Sequence, residues 1–159
     1  LATSGKLNPR MGGPGYRDFE YVDLYAPIYR YITPDKPELW RRSVYRFAVR
    51  SVPHQFMDVL DCPNPSNLAP NRAETTTALQ SLTLLNDPFM LQQAGYLAER
   101  AEREAGGSID EQVAHVYQLV LTRKPTSDEL AAAAQFVEEH SLFHLCRVLY
   151  NSNEFLYID

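Results

Sequence analysis

The segment 75–107, TTTALQSLTLLNDPFMLQQAGYLAERAEREAGG, constrains the fold more than any other part of the chain, because it writes out two consecutive helices with their start and stop signals. Thr75 or Thr76 can cap a first helix running through Leu85, which Asn86 and Asp87 end. Its apolar residues Ala78, Leu79, Leu82, Leu84 and Leu85 leave few polar directions, a pattern that predicts a buried helix. Asp87 then caps a second helix with Pro88 at its first position, where an aspartate oxygen and a missing N–H both suit the unpaired donors. Met90, Ala94, Leu97, Ala98 and Ala101 fall on one face of it, while Glu99, Arg100, Glu102 and Arg103 face water. Gly106 and Gly107 stop it after Ala105.

Helical period continues beyond. Ser108 with Glu111 and Thr126 with Glu129 read as capping boxes opening two further helices. The first turns Val113, Val116, Tyr117, Val120 and Leu121 inward, the second Leu130, Ala133, Ala134 and Val137. Ser141 caps a fifth helix in which Leu142, Leu145, Cys146, Val148 and Leu149 surround most of the circumference. A short helix is expected over residues 54–60, followed by a Pro-, Asn- and Ser-rich loop over residues 62–70.

Residues 1–52 differ in kind. Six of the ten tyrosines lie there, with a turn cluster at Gly12, Gly13, Pro14 and Gly15 and breakers at Pro27, Pro34 and Pro37. Residues 43–50 alternate, Tyr45, Phe47 and Val49 against Arg46, Ala48 and Arg50, which predicts a half-buried strand pairing with residues 28–32 in a hairpin. The fold class is therefore mainly α: about five helices over residues 53–159, an irregular Tyr- and Pro-rich arm over residues 1–52 with one short β-hairpin, and one structural domain overall.

With 159 residues and a formal net charge of -5, the chain has length for one core and no basic surplus to neutralise phosphates, which argues against a nucleic-acid partner. No apolar run reaches the roughly 18–20 residues of a membrane span. The two cysteines, Cys62 and Cys146, fit none of the close-paired zinc spacings; a single bridge between them is one reading, two buried thiols the preferred one.

The chemistry-bearing residues do not assemble into an active site. There is no Cys-x-x-Cys-His for covalent haem. His140 and His144 stand four apart, but Ser141 breaks the helix between them, so they read as surface residues rather than metal ligands, as do His54 and His115. Ser43, Ser81 and the threonine run lack a neighbouring base and orienting group. The acidic pairs Asp58 with Asp61 and Glu138 with Glu139 read as solvated faces rather than a glycosidase pair. The glycine cluster lacks the lysine and hydroxyl of a phosphate loop.

Two polar sets remain. Arg72, Thr76, Gln80, Asn86, Asn151, Asn153 and Glu154 sit on or beside helices otherwise too apolar to be exposed, and read as a structural hydrogen-bond network, since buried polar groups are paired. Trp40, Arg41, Arg42, Tyr45 and Arg46 are the candidate binding cluster, able to stack a sugar ring or grip a sulfate, or else to pack the arm onto its surroundings.

These residues carry a resemblance. The run Arg41, Arg42, Ser43, Val44, Tyr45, then Arg72, TTTALQSLTLLNDPF over residues 75–89 and NSNEF over residues 151–155, with the opening SGKLNPRMGGPGY, resembles the C-terminal domain called domain of unknown function 1553, found in large proteins of planctomycetes and related bacteria. The chain departs from that pattern at Leu60, Asp61, Cys62, Pro63 and Asn64, which lacks one carboxylate of the relatives' loop, at Ala78 in place of proline, and at Arg147 in place of a frequent histidine.

The resemblance implies a C-terminal piece of a longer, secreted protein, with Leu1 internal and Asp159 near the natural end. It further implies a periplasmic or cell-surface location, a second domain of unknown function upstream, and often a c-type cytochrome domain or a lectin-like sandwich. Relatives are frequently encoded among sulfatases. The expected role is a non-catalytic structural or interaction module that docks on the upstream part of its own polypeptide or a cytochrome-bearing partner. The chain itself is expected to hold no cofactor or metal, any c-type haem lying on an upstream domain or partner. The alternative is an extracytoplasmic module that binds or processes polysaccharide.

Overall fold

A computed structural model describes residues 1–26, 28–63, 75 and 77–157. The described elements run β1 (Phe19–Val22), β2 (Ile28–Tyr31), α1 (Gln55–Val59), α2 (Ala78–Asn86), α3 (Pro88–Ala105), α4 (Ile109–Leu121), α5 (Ser127–Glu139), α6 (Leu142–Tyr150) and α7 (Asn153–Leu156), with 3₁₀ turns at Pro37–Leu39 and Ser43–Tyr45. The fold is mainly α with one antiparallel hairpin, as the sequence implies. The chain forms two compact units, one of Leu1–Lys6 with Leu84–Asp159, the other of Leu7–Thr83.

The helical unit is built from local signals that act where the sequence places them. Asp87 Oδ1 accepts from the Phe89 N–H at 2.9 Å, with Pro88 opening α3. Gly106 ends α3 at φ +90°, a conformation that side chains other than glycine rarely adopt. Thr126 and Glu129 form the full reciprocal capping box of α5, whereas Ser108 caps α4 by accepting from the Glu111 N–H. Ser141 caps α6, so α5 and α6 are separate helices meeting at His140 and Ser141. The core lies where α3 meets α4 and α6: Leu97, Val113, Val116 and Cys146 are fully buried, beside Ala94, Ala98 and Ala101. Burial pushes the Cys146 thiol up to about 12, so it packs as a small hydrophobe. Cys62 is exposed and both cysteines are free, which corrects the expectation that both thiols are buried.

At the far end of α4, Arg123 lies between two carboxylates. It donates to Glu129 at 2.7 and 2.8 Å and to Glu154 at 2.6 and 2.8 Å, tying the starts of α5 and α7 together. These bonds and the Thr126 N–H hold the Glu129 carboxyl down at about 2. The short α7 was not foreseen from sequence, since its four residues carry no complete helical period.

Two expectations are corrected in the other unit and at its exit. Residues 28–31 do form a strand, but the partner is Phe19–Val22, in register Phe19↔Tyr31, Glu20↔Arg30, Tyr21↔Tyr29 and Val22↔Ile28. Residues 43–45 form a 3₁₀ turn, and Arg46 joins Tyr16 in one isolated parallel bridge. The alternation read there is that of an extended chain whose arginine points inward. α2 is not buried all round either: Leu79 and Leu82 are about three-fifths exposed, and Gln80 and Leu84 are the residues turned in.

Candidate functional site

The tyrosine-rich unit is organised around two arginines. Arg41 is 7% exposed, and its guanidinium faces a loop of the glycine cluster. Nε donates to the Arg10 carbonyl at 3.2 Å, Nη1 to Pro14 at 3.2 Å and Nη2 to Gly12 at 2.6 Å. A loop that aims three carbonyls at one cation must turn sharply, which is why Gly12 and Gly13 sit at φ +73° and +77°. The other face of the guanidinium lies 4.2 Å from the Tyr45 ring centroid.

Arg46 makes the second centre. It pairs with Asp18 through Nη2 and through Nε at 2.8 Å, and Nη2 also lies 2.8 Å from His54 Nε2. Arginine can only donate, so His54 Nε2 accepts there. A neutral imidazole has one lone-pair nitrogen, so with Nε2 accepting from Arg46, Nδ1 carries the hydrogen and cannot also accept from the Met57 N–H 3.4 Å away. The His54 ring is packed 4.4 Å from Tyr31, whose hydroxyl donates to the Val52 carbonyl at 2.7 Å. Asp18 is 5% exposed. His54, read from sequence as a surface residue, is therefore largely enclosed, because Arg46 and Tyr31 reach it from outside its own helix.

The hairpin stands on this base. Phe19, Tyr29, Tyr31 and Phe47 meet edge-on or tilted at 5.4–6.1 Å on one face. Its far end is apolar and open to solvent: Tyr21, Val22, Leu24 and Ile28 are each about half exposed and Tyr25 fully so.

The candidate binding cluster is thus largely committed to the interior of its own unit. Trp40 is 9% exposed, Arg41 holds the glycine loop, Arg46 holds Asp18, and Tyr45 lies under Arg41; Arg42 is exposed. Asp18 was missed from sequence. The available signal was an acidic residue set between Tyr16 and Phe19, in a stretch whose spacing favours an extended chain.

Residues 1–137 match the model of the family described as PSD1, protein of unknown function (DUF1553). The chain belongs to that family. No curated protein and no solved structure matches it. Among the described residues of this PSD1 chain, no group of three or more His, Cys, Asp or Glu side chains is placed to hold a metal ion.

The PSD1 chain does not bring its polar set into one network. Arg72 and Thr76 lie outside the described residues. Gln80 Oε1 accepts from the Thr77 N–H at 2.9 Å and the Gln80 N–H donates to Thr77 Oγ1 at 3.2 Å, a reciprocal capping box on Thr77 rather than on the expected Thr75 or Thr76. Gln80 Nε2 also donates to Asp61 Oδ2 at 3.1 Å and Thr75 Oγ1 at 2.9 Å, and Asp61 accepts from the Thr75 N–H at 2.8 Å. Asp61 and Thr75 are thereby tied together, and the loop expected over residues 62–70 lies, from residue 64 on, outside the described residues. Asn86 Oδ1 accepts from Arg147 at 3.5 Å, Glu154 belongs to the Arg123 group, Asn151 Oδ1 is buried without a hydrogen-bond partner among the described residues, and Asn153 opens α7. His140 and His144 are exposed, their ring centroids 6.3 Å apart, with Ser141 Oγ 2.9 Å from His144 Nδ1. His115, read as a surface residue, is half-buried, with Nε2 3.2 Å from Glu104.

Gln80→Leu is expected to lower stability by about 1–3 kcal/mol, because Asp61 and the Thr77 N–H lose a buried partner that leucine cannot replace. Urea unfolding of the purified variant measures it. A midpoint equal to wild type would mean that solvent already satisfies those groups.

Proposed function

We propose that this chain is a non-catalytic structural and interaction module of a secreted, extracytoplasmic bacterial protein, docking through the β1–β2 hairpin onto the upstream part of its own polypeptide. The observation that supports this reading is the hairpin end, where five large apolar residues within eight positions face solvent on a base fixed by aromatic packing and the Asp18–Arg46 pair. Such clusters on a rigid support mark protein contacts more often than catalysis. The polysaccharide reading rests on Trp40, Arg41, Arg42, Tyr45 and Arg46, of which Arg41 and Arg46 are committed to neighbours inside the unit while Arg42 is exposed.

Titration of this chain with the separately produced upstream part of the native polypeptide tests the reading by calorimetry. Wild type is expected to bind saturably. The double variant Tyr25→Ser, Ile28→Thr should bind at least tenfold more weakly while melting within a few degrees of wild type, since Tyr25 is fully and Ile28 about half exposed. Equal binding by the double variant, or no binding by wild type, would remove the hairpin from the interface.

A further inference from the structure

The first six residues carry the hydrogen bonds of a helix end. The Lys6 N–H donates to the Leu1 carbonyl at 3.0 Å and the Gly5 N–H to the Ala2 carbonyl at 3.0 Å. Gly5 lies between them at φ +72°. One bond spanning six residues, one nested inside it and a left-handed glycine at the fifth position make a Schellman cap, the arrangement that satisfies the last carbonyls of an α-helix. Ser4 Oγ shares its one hydrogen between Gln93 Oε1 at 2.7 Å and the Leu1 carbonyl at 3.0 Å, the second being the backward bond that serine makes inside helices.

The surroundings are also those of a helix end. Arg100 Nη1 donates to the Thr3 carbonyl at 2.9 Å, placing a cation on one of the orphan carbonyls at the negative pole of a helix. Ser4 is 3% exposed, with Oγ 2.7 Å from Gln93 Oε1, and Thr3 Oγ1 lies 2.7 Å from the Tyr150 hydroxyl. α3 and α6 therefore seat this turn through side chains that are themselves buried, Gln93 at 1% and Tyr150 at 2% exposure.

We infer that Leu1–Lys6 are the last turn and cap of a further helix, contributed by the residues preceding Leu1 in the native polypeptide and packed on α3 and α6. The bonding pattern carries this inference, independently of where the chain starts. It goes beyond the hairpin proposal by naming a second attachment of the upstream polypeptide, as a helix of the helical unit. Both share the premise of an upstream polypeptide, but they concern different surfaces.

Hydrogen exchange on the chain lengthened by its native upstream residues tests it. The residues immediately before Leu1 should be protected at least tenfold over coil rates, and the lengthened chain should gain helical ellipticity. In that chain, Gly5→Val should lower the protection, because valine opposes the left-handed conformation, whereas Gly5→Asn should largely keep it. Coil-rate exchange before Leu1 with α3 still protected would overturn the inference, as would a gain of strand signal. Should the longer chain prove insoluble, the Gly5 and Lys6 amides of the present chain decide: tenfold protection supports the cap, and coil rates remove it. Tyr25→Ser with Ile28→Thr should leave every one of these readings unchanged, so the two proposals fail separately.

Discussion

Asp18→Ala is expected to destabilise the tyrosine-rich unit by about 3–5 kcal/mol, the cost of removing one partner from a buried ion pair. Asp18 is nearly enclosed, and Arg46 reaches it with two nitrogens from 28 residues away. Alanine would leave the Arg46 guanidinium facing the His54 ring, one neutral acceptor for a fork of five donors. The chain's one tryptophan, Trp40, is buried in the same unit, so its fluorescence reports this transition directly. Asp18→Asn should fall between Ala and wild type, since an amide oxygen still accepts but carries no charge. Asp18→Ala with Arg46→Met should recover part of the loss, because the unpaired cation is gone as well. A shift below roughly 1 kcal/mol for Asp18→Ala would place the pair in the class of solvent-exposed bridges.

Asp18 also shows where the sequence stops being readable. Helix starts and stops are local: Asp87 with Pro88, Thr126 with Glu129, and Gly106 act within four residues of themselves, and each does what its spacing implies. The arm is held by contacts between residues about 30 apart, Arg41 with the glycine loop and Arg46 with Asp18. No periodicity encodes such pairings. An arginine beside tyrosines reads equally as a ligand grip or as an interior tie, and burial decides between them. α2 failed for a related reason. Its leucine count implied burial, yet Gln80 turns inward because Asp61 and Thr75 meet it there, while Leu79 and Leu82 stay in water. The candidate cluster at residues 40–46 was legible as unusual, but its partners were not.

Leu97→Ala should be the most damaging single change in the helical unit, at about 3–5 kcal/mol. Leu97 has no solvent exposure and is one of the largest fully buried side chains, where α3 meets α4 and α6. Its neighbours along the same face of α3 are Ala94, Ala98 and Ala101. Alanines let the backbones of packed helices approach closely, and they have no side-chain reach with which to fill a hole. Val113 and Val116 are stiff at χ1, and Cys146 is short, so the cavity left by leucine should stay largely open. A loss of this size in a unit of this length corresponds to a fall of roughly 15 °C or more in Tm. Leu97→Met keeps the volume and should cost less than about 1.5 kcal/mol. Thermal unfolding followed by far-ultraviolet ellipticity measures both. If Leu97→Ala melted within a few degrees of Leu97→Met, the surrounding helices would have to collapse onto the gap, which fully buried valines on α4 and a capped, proline-started α3 give them little freedom to do.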